Sequence, residues 1–326
     1  MKQTYIKDLI VGTEITDYFM VVESSIRTGT NGRAYLDIRL GDKTGDVSAK
    51  KWNLSPAEID TYNEIKTGEL VKIIANVKEW NGAKQLDISR IRKTSEEDGL
   101  VLSSFVKAAP YPPQEMFDHI YAITEEFKDE ELKNLCQMVL NENKEKIMYW
   151  PAASKNHHAE YAGLLYHTMR MLDNAKAMYQ VYGNILNEDL LYAGVILHDI
   201  QKMGEILSDE NGMSPGYSFE GQMLGHIISG VKEMEKYCDR LNIGEEKKIM
   251  LEHMILSHHY EPEFGSPKKP LFPEAELLHY LDIIDAKMFD MEEALANTEI
   301  NGFSERVWTL DNRRLYKATD SKIKSE

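Results

Sequence analysis

Cysteine is nearly missing from this chain: Cys136 and Cys238 are the two among 326 residues. They lie far apart in ordinary helical sequence, so no disulfide framework is expected, and free thiols in a reducing cytoplasm are. No apolar run reaches the roughly 18 residues that a membrane-spanning helix needs. The opening residues, MKQTYIKDLIVGTEI, lack the apolar core and small-residue cleavage site of a signal peptide, so none is expected. G-x-S-x-G, Walker A and G-x-G-x-x-G sequences are absent too. That removes the usual serine-hydrolase, nucleoside-triphosphatase and dinucleotide readings. There is no internal repeat and no low-complexity segment.

Positive charge is also scarce. The chain has 38 Lys+Arg against 54 Asp+Glu, a net −16. The deficit is uneven: residues 1–93 carry 15 basic and 13 acidic residues, leaving 23 basic and 41 acidic to the rest. Such asymmetry suggests a division of labour, with a near-neutral module handling a polyanion and an acidic one holding cations. The 42% hydrophobic and 28% charged content is that of an ordinary globular protein, long enough for two or three domains.

Residues 1–93 read as β structure. A strand over 18–28 leads to Thr30-Asn31-Gly32, and Asn-Gly is a strong hairpin signal. Residues 34–40 alternate, with Tyr35, Asp37 and Arg39 on one face and Leu36, Ile38 and Leu40 on the other. A third strand spans 46–52. Ser55-Pro56 opens a short helix. A fourth strand runs over 68–80, Asn81-Gly82 makes a turn, and a fifth strand covers 83–92. Five strands with a helix between the third and fourth is the order of an OB-fold barrel. It resembles the OB-folds that hold single-stranded nucleic acid by stacking bases on aromatics beside basic groups. Tyr35, Trp52 and Trp80 are the candidate rings. Arg33 and Lys50 are the leading basic partners, with Arg39, Lys51 and Lys84 nearby.

Residues 94–113 read as a linker ending in Ala109-Pro110-Tyr111-Pro112-Pro113, which cannot continue a helix. Beyond it the spacing is helical over 115–127, 130–149, 160–182, 188–198, 219–241, 245–257 and 274–296. The expected organisation is an OB-fold over 1–93, a linker over 94–113, an all-α domain over 114–319 and a polar tail over 320–326.

Nine of the ten histidines lie in the helical part, between His157 and His279. They fall at the ends or inner faces of successive helices, and the apolar run LLYAGVIL leads into His198-Asp199. One histidine on an apolar face is ordinary core; one on each of four helices, followed by Asp282, is hard to explain by packing. The order His167, His198-Asp199, His226, His258, Asp282 is similar to the signature of HD-domain metal-dependent phosphohydrolases. An OB-fold followed by that domain resembles the YhaM-type 3′→5′ exoribonucleases, a likeness also carried by PAASKNHHAEYAGLLYHT, SHHYEPEFGSPKKP and WTLDNRRLYK. Gln201 stands where many HD domains have glycine, and Ala162-Gly163 where a glycine pair is usual; neither change removes a ligand.

The resemblance implies a multidomain fold, a β-barrel followed by an HD-domain helical bundle, and a metal-dependent reaction. His167, His198, Asp199 and Asp282 can hold one divalent ion; Asp199 can bridge to a second, held with His226 and His258. His258 is preferred to His259, because adjacent residues on a helix point about 100° apart. Imidazole and carboxylate ligands suit Mn²⁺ first, with Co²⁺, Fe²⁺ or Mg²⁺ also compatible. Asp199 and Lys202 are the catalytic candidates, Lys202 reaching the phosphate or the leaving oxygen. His157 and His158 are candidates for lining the substrate pocket. Asp285, one turn past Asp282, is expected to play a supporting role, and His253 and His279 to be structural. The expected reaction is attack of a metal-bound hydroxide on the phosphodiester of single-stranded RNA, possibly also DNA, from the 3′ end in the cytoplasm. No membrane is involved, and a homo-oligomer is compatible with the sequence. The alternatives are an HD-domain nucleotidase or cyclic-nucleotide phosphodiesterase, and a non-catalytic single-strand-binding factor.

Overall fold

A computed structural model describes residues 2–30, 32–100, 104–154, 158–212, 214 and 216–323. The chain divides into two compact units, Met1–Ala108 and Ala109–Glu326.

The first unit is a closed barrel of β1 (Glu14–Thr28), β2 (Ala34–Asp42), β3 (Gly45–Lys51), β4 (Leu70–Trp80) and β5 (Ala83–Lys93), in the order β1-β2-β3-β5-β4. Helix α1 (Pro56–Asn63) lies between β3 and β4 in sequence. Ser55 and Glu58 form a capping box at its start, which satisfies two backbone N–H groups that the first turn leaves open. The alternation in β2 places Leu36, Ile38 and Leu40 in the barrel core beside Phe19, Val71, Ile73 and Leu86. β1 begins four residues before the expected strand; its start, Glu14 to Tyr18, pairs with β4. Asn31 of the expected hairpin lies outside the described residues.

Residues 94–100 are part of this unit, not a linker. Asp98 accepts from Tyr18 Oη at 3.0 Å and takes a bidentate contact from Arg92 at 2.7 and 2.8 Å. The charged composition that reads as a spacer is there to make these bonds. The division falls at Ala108/Ala109, and the next helix starts at Pro113.

The second unit is helical: α2 (Pro113–Glu125), α3 (Glu130–Glu142), α4 (Lys144–Ile147), α5 (Gly163–Tyr182), α6 (Glu188–Leu197), α7 (Lys202–Glu205), α8 (Phe219–Leu241), α9 (Glu245–Ser257) and α10 (Pro273–Ala296). A two-stranded ribbon, β6 (Ile206–Leu207) with β7 (Gly216–Tyr217), follows α7. The helix expected over 130–149 is broken at Asn143, whose side-chain amide donates to Val139 O at 2.8 Å and ends α3. α5 starts at Gly163 rather than 160, because Ala162 takes a left-handed conformation (φ 59°) that a helix cannot contain.

α6 is apolar on nearly every side, and it is buried along its whole Leu190–Leu197 stretch. Its one buried acid, Asp189, accepts from the Lys128 and Asp129 N–H groups at 2.7 Å each. A helix running through the core and ending in His198-Asp199 delivers both groups to the interior. Every other element of the site is arranged around that end.

Candidate metal centre and nucleic-acid interface

α6 stops at Leu197, and His198 caps it. The His198 Nδ1–H donates to Val195 O at 2.9 Å. α9 ends in the same way: His258 caps it and Nδ1 donates to Ile255 O at 2.7 Å. In both rings a carbonyl, which can only accept, fixes the N–H on Nδ1 and leaves Nε2 with its lone pair. His167 on α5 donates from Nδ1 to Asp285 Oδ2 at 2.8 Å. His226 donates from Nδ1 to Glu205 Oε2 at 2.7 Å, and His259 from Nδ1 to Phe264 O at 2.7 Å. Five imidazoles are thus locked by an oxygen at Nδ1, and each presents Nε2.

Four of these nitrogens converge on Asp199. Its Oδ2 lies 3.2 Å from His198 Nε2 and 3.7 Å from His167 Nε2. Its Oδ1 lies 3.3 Å from His226 Nε2 and 3.8 Å from His258 Nε2. Asp282 Oδ1 is 3.4 Å from His167 Nε2. Three of the four potential ligand sets among the described residues are His167-His198-Asp282, His198-Asp199-His258 and His226-His258-His259; the fourth, His158-His167-Asp285, is a hydrogen-bonded cluster behind His167. The Nε2 atoms of His167, His198, His226 and His258 and Asp199 Oδ1 are buried without a hydrogen bond, while Asp199 Oδ2 is held by the Lys202 ammonium at 2.6 Å. Orphaned polar atoms at this density are costly unless something binds them. All are nitrogen or oxygen donors of the type a divalent first-row cation takes, so the residues fit such an ion.

The electrostatics of Asp199, Asp282, His258 and His259 point the same way, whereas at His167 burial is outweighed by Asp282 and Asp285, which raise its pKa to about 9. Burial alone would raise the Asp199 carboxyl, but His198 and Lys202 overcome it and hold the group well below the usual carboxylate range. Asp282 is likewise held far down against burial, by His167 and His198. Burial drives His258 well below the ordinary histidine value, helped by His259 and His198, and it lowers His259 as well. Neutral imidazoles and ionised carboxylates are the ligand-competent forms.

The HD domain family model matches residues 164–287, the stretch that carries all of these groups. The chain is 38% identical over 309 residues to the 3′-5′ exoribonuclease YhaM of Bacillus velezensis, a match covering 95% of this chain and 96% of that protein. The figures are the same for the 3′-5′ exoribonuclease YhaM of Bacillus subtilis. This chain belongs to the YhaM family. Its barrel is also similar to the second OB-fold domain of replication protein A from Methanococcus maripaludis, at 20% identity, 29% of this chain, 96% of that one and a TM-score of 0.23.

For a YhaM-family chain, several placements differ from the sequence expectation. His258 and His259 converge on one pocket together with His226. The 100° argument fails because α9 ends at Ser257 and the two histidines lie in a turn, before Tyr260 at φ 67°. His158 does not line a substrate pocket. It is fully buried, donates from Nε2 to Asp285 Oδ2 at 2.8 Å and packs on the Phe289 ring at 4.0 Å between centroids. Its neighbour His157 lies outside the described residues. Lys202 is not carried by a continuing α6; a turn over 198–201 intervenes. Its ammonium nonetheless lies 2.6 Å from Asp199 Oδ2, with the side chain 12% exposed. Burial would lower its pKa, but Asp199 and Asp282 raise it, so it stays charged.

Sequence reasoning gave Asp285 a supporting role and passed over Glu205 and the spatial demand at Gly163. Asp285 Oδ2 bridges His158 and His167, while Oδ1 lies 2.6 Å from Arg170 Nε. Glu205 orients His226 across a break in α8, where Gly225 adopts φ 70°, ψ 168°. Gly163 lets the His158 carbonyl approach: a Cβ there would sit 2.0 Å from that oxygen. Glycine is required here by space, a signal that the usual Gly-Gly pair of these domains already carries.

On the barrel, Tyr35 and Trp52 stack at 4.6 Å and 30°, and Lys50 Nζ lies 5.4 Å from each ring centroid. Trp52 is 46% exposed and Trp80 65%, so neither is barrel core. Trp80 stands at the β4–β5 turn, and no ring or cation contact among the described residues joins it to the Tyr35–Trp52 pair. Arg33 is exposed, with Nη1 donating to Asn53 Oδ1 at 3.3 Å. Three other basic residues are engaged elsewhere: Arg39 with Asp46, Lys51 with Glu58, and Lys84 with the Lys7 carbonyl.

Proposed function

We propose that this chain is a metal-dependent 3′→5′ exoribonuclease that hydrolyses single-stranded RNA to nucleotides, with single-stranded DNA as a further candidate substrate. The observation that carries the reading is the convergence of four Nδ1-locked imidazoles, those of His167, His198, His226 and His258, on the Asp199 carboxylate, in a chain of the YhaM family. The Tyr35–Trp52–Lys50 platform supports single-strand binding, since rings stack on any base and an ammonium meets the phosphates.

His167, His198, Asp199 and Asp282 would hold one ion. His226, His258 and His259 would hold a second, with Asp199 shared. When bound, such ions supply an activated water and offset charge on the phosphoryl group. Mn²⁺ is the preferred ion, since the donor set mixes imidazole and carboxylate without thiolate. The remaining work belongs to the chain. Glu205 and Asp285 fix the His226 and His167 rings. Lys202 keeps its proton beside Asp199 and presents a fixed positive charge to a phosphate oxygen or to the leaving 3′-oxygen. Cys136 and Cys238 are buried and free, and burial raises both thiols, which suits a reducing cytoplasm.

The test is degradation of 5′-labelled single-stranded RNA with Mn²⁺, with Mg²⁺ and with chelator, beside His198→Ala. A ladder shortening from the 3′ end, lost with chelator and in the variant, is expected. Mononucleotide release that survives His198→Ala would refute the site.

A further inference from the structure

The segment between α9 and α10, YEPEFGSPKKPL over 260–271, is tied to its surroundings by specific bonds. The His259 N–H donates to Ser266 Oγ at 3.1 Å, and the Leu271 N–H donates to His253 Nε2 at 3.1 Å. Tyr260 stacks on His279 at 4.7 Å and 29°, and Lys269 Nζ lies 4.4 Å from the same Tyr260 ring. His279 in turn donates from Nδ1 to the His258 carbonyl at 2.7 Å. His253 and His279 therefore serve this segment, not an ion.

Two contacts place it at the edge of the metal site. The Phe264 carbonyl is the acceptor that locks His259. A Cβ on Gly265 would lie 3.2 Å from Ile227 Cδ1, and Ile227 follows His226. Yet the Phe264 side chain is 68% exposed. Lys268, in the same segment, is also exposed, and no ion pair among the described residues occupies it. A large ring held in water by an ordered backbone, one carbonyl away from a candidate ligand, has no packing role.

The charge distribution says what it would meet. Residues 94–326 carry a net charge of about −18, so a polyanion reaching the site needs local positive charge. Lys268 supplies it at the rim, where Lys269 is already shared with Glu261 at 3.8 Å. We infer that this segment is the nucleotide-holding rim of the catalytic site, with Phe264 stacking on a base at the 3′ end of a single strand and Lys268 contacting a phosphate. The inference rests on the exonuclease reading above. A stacking ring reads no base identity, so the rim would grip any sequence.

The test compares kcat/KM on a trinucleotide with kcat/KM on a nitrophenyl phosphodiester that has no base to stack, using the full Mn²⁺-loaded chain. Phe264→Ala keeps the carbonyl that holds His259 and removes only the ring. The trinucleotide-to-ester ratio is expected to fall about tenfold, as loss of one base stack implies, and to recover in Phe264→Trp. In Lys268→Ala the salt dependence of trinucleotide KM is expected to flatten by about 0.7 of a log unit per log unit of salt, one phosphate contact. A wild-type ratio in Phe264→Ala, or a fall in both rates together, overturns the assignment. Wild-type protein that cuts the ester but no trinucleotide refutes the exonuclease reading itself, and the rim assignment with it.

Discussion

Asp285→Asn separates ligand positioning from mere stability. Asp285 is fully buried and faces three donors: His158 Nε2 and His167 Nδ1, both at 2.8 Å on one oxygen, and Arg170 Nε at 2.6 Å from the other. Burial would raise its pKa, but His158 and His167 hold it well below the carboxylate range. Asparagine keeps the shape, removes the charge and turns one acceptor into a donor. Breaking a buried ion pair from one side costs roughly 3–5 kcal/mol. Arg170 retains some solvent access, with its side chain 21% exposed, so the lower end, ~3 kcal/mol, is expected. For a unit of this size that lowers Tm by about 6–12 °C. The His167 ring loses its orienting acceptor and some basicity, a change that typically weakens metal affinity about 10–100-fold. Chelator-stripped protein titrated calorimetrically with Mn²⁺, beside thermal melts, measures both quantities. A fall in Tm with Mn²⁺ affinity within about twofold of wild type would refute the positioning role.

Three further outcomes are expected. In cation-free protein, burial opposes the His167 charge, but Asp282 and Asp285 outweigh it and raise the pKa to about 9. That pairing stabilises the empty protein below about pH 6.5 and is lost as pH rises through about 9; because metal must displace the proton, apparent Mn²⁺ affinity should climb up to tenfold per unit from pH 7 towards 9, and a flat profile would count against His167 as a ligand. Trp52→Ala should weaken single-strand binding about tenfold, read by fluorescence anisotropy in chelator, while shifting stability by less than about 1 kcal/mol because the ring is half exposed. Gly163→Ala should destabilise by about 1–3 kcal/mol in a denaturant titration, because its methyl group must displace the His158 carbonyl; an unchanged midpoint would show that the contact yields freely.

The parts that sequence reveals here are those with local causes. Alternation placed Leu36, Ile38 and Leu40 inward, and Asn81-Gly82 marks a turn whose residues take φ 52° and 78°. The apolar run before His198 reads as a central helix because it is one. What escaped depends on partners far along the chain. His158 looks like a loop residue until Asp285, 127 positions later, accepts its proton. Glu205 is unremarkable until Gly225 bends α8 and turns His226 towards it. His259 was set aside by helical geometry that stops two residues earlier, at Ser257. Asp98 looks like a spacer charge because its partners, Tyr18 and Arg92, are 74 positions apart on β1 and β5 and meet only once both strands pair with Lys72 of β4.

The barrel's closure has a weak point. β4 and β5 are paired from Val71↔Lys93 to Trp80↔Ala83, whereas β3 meets β5 only at Ser48↔Gln85, Ala49↔Leu86 and Lys50↔Asp87, and in parallel. This short clasp fastens a sheet that would otherwise have two open edges, and parallel pairing holds slightly less per residue. Lys50 is part of the clasp and also lies over Tyr35 and Trp52. A strand of nucleic acid laid across those rings would latch the barrel shut as well as be held by it. Amide exchange at the clasp should be the fastest of the strand core in the free protein and the most slowed on binding.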